Sequence, residues 1–339
     1  MSAGLTTSSD EDQLLRAHCL TGHDPQPRKW AGSKAIKSRF HLRKYPEEHG
    51  TLLAGLVDYT EGLRAACVGY CDARAPDLPE SFASITDTTQ REEIRRWSAK
   101  LIGTNVVAPF LPMLIATRNR FAGDASKYLE LVQLCEAFAF RVYRLLERRA
   151  DAGQADLFRI GYQLQRGRLS FEDAMRDFRR TLLAYCPDRW FEDALRQDNF
   201  NWYDWSGLKY YLYEYEEHLA RRKGAMPKIA WETVRRRERA DTIEHVLPQT
   251  PTAEYWIERF GEAQRRACTH DLGNLSLTKD NASYGNKPFP EKKGAAGSEK
   301  PCYAESSFFM ERELAILDDW TPREVIERRT QLTEWALER

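Results

Sequence analysis

The sequence predicts a mainly α-helical protein that ends in a small α+β module. Three observations predict it. Apolar residues recur at three- and four-residue intervals almost continuously from about Glu11 to Lys223, the spacing of one helix face. Beyond Gly224 to Pro227 that period gives way to short alternating runs separated by Gly-, Asn- and Pro-rich stretches, as short strands and turns require. The final stretch, 306–339, returns to helical spacing. The expected organisation is a helical scaffold or docking domain over 1–223 and a second domain over 224–339 that carries the small module and terminal helices.

Each element has its own signal. LLAGLVDYTEGLRAACVGYC (52–71) repeats apolar residues with helical period. REEIRRWSAKLI (91–102) follows Asp87 and Thr88, two capping residue types. FLPMLIATRNRF (110–121) carries Pro112 where a first turn tolerates it. KYLELVQLCEAFAFRVYRLLERR (127–149) reads as one long central helix. LSFEDAMRDFRRTLLAYC (169–186) starts at Ser170 with Asp173 in a capping-box arrangement. SGLKYYLYEYEEHLARR (206–222) is amphipathic and rich in tyrosine. In the second domain DTIEHVL and NLSLT read as strands and EYWIERFG as a short helix, with room for another over Asn281 to Lys293. SSFFMERELAILDDW and TPREVIERRTQLTEWALER read as two closing helices, the latter with Thr321 as cap, Pro322 first and Glu324 third.

Composition narrows the classes. The 339 residues are 30% charged and 42% hydrophobic, and 51 Lys plus Arg balance 51 Asp plus Glu. No global basic field advertises nucleic acid, so a polyanion site has to be a local patch. No apolar run reaches the roughly 20 residues that span a bilayer. The polar start MSAGLTTSSDEDQ lacks a signal core. The expectation is a cytoplasmic protein without membrane contact. Seven scattered cysteines with no CxxC pair argue for reduced thiols. Cys67 and Cys71, one helical turn apart, are expected in the core. Cys268 and His270 lack the second ligand pair that a structural zinc site needs. No GxxxxGK[ST] phosphate loop is present.

The chemistry concentrates after residue 240. In IEHVLPQ (243–249), Ile243, Val246 and Leu247 call for burial, and Glu244 and His245 are not explained by it. LGNLSLT (272–278) embeds Asn274 among apolar residues, and Asn281 follows the turn Lys279-Asp280. Neutral imidazole is a base suited to activating water near physiological pH. A divalent ion holds a scissile phosphate, and Mg²⁺ accepts a few oxygen ligands. A buried Asn between strands hydrogen-bonds backbone beside a His and fixes its angle. Strand neighbours point to opposite faces, so Glu244 and His245 share a site only where the strand bends or ends, as Pro248 permits.

A strand with His, a strand with Asn and a third polar residue on a short helix is the order of the HNH (His-Me finger, ββα-metal) nuclease module. The strings IEHVLPQ and HDLGNLSLT, Asn281, and NKPF (286–289) resemble the C-terminal nuclease domain of GmrSD-type modification-dependent restriction systems and SspE-like phage-defence proteins. EDQLLRAHCLTGH, LCEAFAFRVYRLL and WSGLKYYLYEYEEHLA are similar to the helical region that precedes that domain. The resemblance implies a metal-dependent DNA endonuclease of a bacterial anti-phage system, nicking one strand per active site. It implies His245 as general base, Asn274 as orienting residue, and Asn281, where many HNH enzymes carry His, as the metal-proximal residue. It makes Glu244 the acidic metal ligand beside Asn281, with Mg²⁺ or Mn²⁺ as the ion. His270, Asn286, Lys287 and the basic Arg235, Arg236 and Arg237 are expected to meet DNA phosphate. The implied partners are DNA, modified phage DNA included, and an N-terminal nucleotide-hydrolysing sensor half or subunit outside this chain. The rival expectations are a catalytically silent helical subunit that binds nucleic acid or a partner, and an RNA nuclease.

Overall fold

In the computed structural model, which describes residues 8–26, 32–45 and 49–338, helical periodicity becomes helices and only the two short runs become strands. The chain divides into two compact units, Met1–Asp188 and Arg189–Arg339. Among the described residues no helix is long and apolar enough to cross a membrane.

The first unit is all helical: α1 (Ser8–Gly22), α2 (Ser33–Arg39), α3 (His49–Arg74), α4 (Thr88–Gly103), α5 (Leu111–Arg120), α6 (Ala125–Phe138), α7 (Gln154–Gln165) and α8 (Phe171–Tyr185). The caps fall where the sequence puts them. Asp87 accepts from the Gln90 amide at 3.0 Å and Ser170 from the Asp173 amide at 3.0 Å, each satisfying a free first-turn N–H. The core gathers on α5, buried from Leu111 to Arg118 and packed by α1, α3 and α7. The single helix expected over 127–149 does not run straight through. After Phe138 the backbone widens into a π-helix, Ala139–Leu145, and Glu147 then takes a left-handed φ of 47° that ends it. Cys67 and Cys71 are half-buried on α3 rather than in the core.

The second unit holds α9 (Asp188–Leu195), from its second residue on, and then α10 (Leu208–Arg222), α11 (Trp231–Arg236), α12 (Arg239–Thr242), β1 (Ile243–His245), α13 (Glu254–Arg259), α14 (Glu262–Cys268), β2 (Leu275–Leu277), α15 (Asn281–Tyr284), α16 (Phe289–Lys293), α17 (Phe309–Leu314) and α18 (Pro322–Glu338). The compact units meet at 188/189, whereas the sequence places its boundary at 223/224. The reason lies in α10. Its buried Glu216 accepts the Phe309 and Met310 amides at 2.7 and 2.9 Å, which caps α17. Its Tyr211 hydroxyl donates to the Leu332 carbonyl at 2.7 Å. An apolar face with such anchors packs with what it bonds to.

β1 and β2 form one antiparallel pair with Ile243 opposite Leu277, Glu244 opposite Ser276 and His245 opposite Leu275. Two strands alone are marginal in water, and here they lie on a core of Val246, Leu247, Trp256, Phe260, Tyr284, Phe289, Trp320 and Val325. The last helix, α18, closes against the turn before β2. A Cβ on Gly273 would stand 2.0 Å from the Val325 carbonyl oxygen, so only glycine fits there. Buried Arg328 donates to the Gly273 and Leu275 carbonyls at 2.6 and 2.7 Å.

Candidate active site

His245 ends β1 because the chain stops pairing there. The Val246 amide reaches the Asn274 carbonyl at 3.0 Å, and the Leu247 amide turns to the Asn274 side-chain oxygen at 2.7 Å. Asn274 is fully buried and uses both ends of its amide. Its Oδ1 also accepts from Trp320 Nε1 at 3.2 Å, and its Nδ2 donates to the Leu247 and Thr269 carbonyls at 3.0 and 2.9 Å. A buried amide satisfied on every side is a rigid strut. It fixes the chain directly after His245.

The imidazole of His245 is 6% exposed, and its neighbours are polar and aromatic. Its Nε2 lies 3.2 Å from Nδ1 of His270, and its Nδ1 lies 3.3 Å from the Gln249 amide. The Tyr203 ring covers both imidazoles, with centroids 4.6 Å from His245 and 5.8 Å from His270. Arg239 holds Tyr203 by donating to its carbonyl, and its guanidinium sits 5.6 Å from the ring centroid. Tyr203 and His270 are half-buried, and Asp204 and Gln249 are exposed, so the rim opens on this side. Burial first, then His270 and Lys292, lower the His245 pKa to about 3. Burial also lowers that of His270, opposed by Asp204. Both rings are therefore neutral at physiological pH and retain a nitrogen lone pair.

Glu244, the expected acidic metal ligand, has partners of its own. Alternation along β1 sends it to the opposite face, where it is 2% exposed. There Lys292 donates to Glu244 Oε1 at 2.7 Å and the Tyr303 hydroxyl donates to the same oxygen at 2.8 Å. Burial pushes Glu244 up and Lys292 down, and each restrains the other's shift. Asn281 also has a partner of its own. It follows the Leu277 end of β2, which pairs with Ile243 rather than His245, and its Nδ2 donates to the Ala240 carbonyl on α12. Glu244 and Asn281, the expected oxygen ligands for Mg²⁺, are each bonded to other protein groups here. Among the described residues no group of three or more His, Cys, Asp or Glu side chains is placed to hold an ion.

The remaining expected residues divide. His270 joins the site directly. Arg235 and Arg236 are exposed and pair with Glu232 at 2.7 and 3.1 Å, one helical turn away on α11. Arg237 donates to the Lys279 carbonyl at 3.2 Å, beside the turn that leads to Asn281. Asn286 and Lys287 stand exposed after α15. The sequence reading did not find Tyr203, Arg239, Gln249, Lys292 or Tyr303. Gln249 closes the quoted IEHVLPQ string and was the one with a signal. The others come from segments whose proximity only the fold reveals.

Among curated proteins none matches the chain. Residues 186–335 match the family of GmrSD restriction endonucleases, C-terminal domain. That span covers nearly all of the second unit, His245, Asn274 and His270 included, so it is the second unit that is similar to the C-terminal domain of GmrSD restriction endonucleases.

Proposed function

We propose that the second unit cleaves DNA phosphodiesters with His245 as the base. The observation that supports this best is a neutral imidazole at a strand end, braced by Asn274 behind and by His270 and Gln249 at an open polar rim. In the step we assign, a His245 nitrogen takes a proton from water as its oxygen attacks phosphorus. The 3′ oxygen departs and takes a proton from solvent, leaving a 5′ phosphate and a 3′ hydroxyl. A base works best with its pKa near the working pH. An approaching phosphate would raise that of His245, since an anion favours the charged imidazolium. His270 receives or returns hydrogen bonds at the same ring and orients it. Mg²⁺ or Mn²⁺ dependence follows from the resemblance. Glu244 is committed to Lys292 and Asn281 to Ala240, so no step is routed through an ion. Arg237, Asn286 and Lys287 are the proposed phosphate contacts, each positioning rather than reading sequence. One such site cuts one strand, so nicking is expected. The substrate would be phage DNA, delivered by a nucleotide-hydrolysing sensor half or subunit in the cytoplasm.

The test is nicking of supercoiled plasmid, modified and unmodified, with Mg²⁺, Mn²⁺ or chelator, and of a structured RNA. His245→Ala should lower the rate at least about 100-fold, the scale for losing a general base. Parental nicking by His245→Ala overturns the assignment. A second reading, nucleic-acid binding without cleavage, is favoured by one observation, the Lys292 ammonium on the expected acidic ligand. Retention of plasmid with no nicking under any ion would establish it.

A further inference from the structure

We propose that Lys292, paired with Glu244, is a positioning residue that sets the aim of the His245 imidazole through the main chain. The inference rests on His245 as the base. Lys292 is wholly buried, and its ammonium makes three bonds: to Glu244 Oε1 at 2.7 Å, to the His245 carbonyl at 3.0 Å and to the Val246 carbonyl at 3.1 Å. An ammonium has three donors and no acceptor, so all of its capacity is used on this one turn of chain. Asn274 takes the amides of Val246 and Leu247 and the Leu247 carbonyl from the other side. Between them the two residues hold every carbonyl from 245 to 247 and the amides of 246 and 247, the Val246 amide through the Asn274 main-chain carbonyl. The ring of His245 projects from a backbone clamped on two sides.

The charge explains the partners. A buried ammonium needs a counter-ion, and a strand residue next to His245 points to the face where Lys292 lies. The carboxylate beside the catalytic His therefore has a task that needs no metal. Tyr303, fully buried, takes the same Glu244 oxygen and fixes the carboxylate's rotamer. A neutral donor at position 292 would offer fewer bonds to the two carbonyls, which is why lysine is used despite the cost of burial.

Removing Lys292 alone strands a buried carboxylate and risks unfolding, so the decisive variant is the neutral pair Lys292→Met with Glu244→Gln in the full chain. With Mn²⁺ and supercoiled plasmid we expect this double variant to stay cooperatively folded, to lose about 10- to 100-fold in kcat, the cost of a misplaced reacting group, and to keep its KM for DNA within about twofold, a split expected when only transition-state interactions are lost. Glu244→Gln alone, which leaves the carbonyl bonds of Lys292 in place, should need no more Mn²⁺ than the parent for half its maximal rate. The ring signal of His245 in histidine-labelled protein, assigned by its loss in His245→Ala, should shift or split in the double variant. Parental kcat in a folded double variant overturns the proposal, as does a His245 ring signal identical to the parent's. A requirement for tenfold more Mn²⁺ in Glu244→Gln also overturns it, because Glu244 would then be a ligand. If instead His245→Ala nicks like the parent, the base assignment fails by itself, and the ring signal still reports on the clamp.

Discussion

Two neighbours in one strand have opposite surroundings. His245 faces a rim with half-buried His270 and Tyr203 and exposed Gln249. Glu244 faces a sealed interior in which Lys292 and Tyr303 use it completely. Both residues are buried, yet only the imidazole retains a route to solvent. A one-residue step along β1 thus separates the proposed chemistry from the support of that chemistry, as strand alternation demands.

The largest expected effect on this contrast is Glu244→Ala. Breaking one partner of a buried pair costs about 3–5 kcal/mol, so urea unfolding of the second unit should move far to lower denaturant. His245→Ala should leave the unit folded and remove nicking. If Glu244→Ala proves harmless to stability, the two faces are not different in kind. Asn274→Ala should have an effect of the same order. It leaves the Leu247 amide, the Leu247 and Thr269 carbonyls and Trp320 Nε1 unmatched. Each unmet buried group costs about 1–3 kcal/mol, so stability and nicking should fall together.

Acidity separates the interior further. Glu311 is fully buried, and burial raises its pKa to about 8. Its folded value lies above its unfolded one, so its stabilising contribution is complete below about 4.5 and lost as pH rises through 8. Glu311→Gln should flatten that part of a stability–pH curve and raise stability at alkaline pH. His245 has the opposite sign. Its folded value is lowered to about 3, so its contribution is present above 6.5 and lost as pH falls toward 3. Denaturation curves at stepped pH check both. The smallest effect belongs to Arg235→Ala with Arg236→Ala. Exposed pairs contribute about 0–1 kcal/mol, so stability should barely move, while DNA affinity should lose salt dependence if these arginines meet phosphate.

Local signals carried much of this architecture. The Asp87, Ser170 and Thr321 caps, the helical spacing and the two strands were legible because each depends on residues a few positions apart. Thr321 accepts the Arg323 amide at 3.2 Å, and Glu324 accepts the Thr321 amide at 2.8 Å, as that spacing requires. The boundary at 188/189 was not legible, because the allegiance of α10 rests on Glu216 and Tyr211 meeting residues near the chain's end. In the candidate site, His245 and Asn274 stood out as polar residues in apolar runs. Lys292 hid among neighbouring lysines and Tyr203 among aromatics, since nothing near them in sequence marks their burial beside β1. The carboxylate of Glu244 was visible, but its partner was not, and that partner decides which task it performs.

Arg328 ties the carbonyls on either side of Asn274 to the final helix. During synthesis the strut behind His245 therefore has no backing until α18 has been made. A polypeptide that lacks α18 carries the imidazole without that backing.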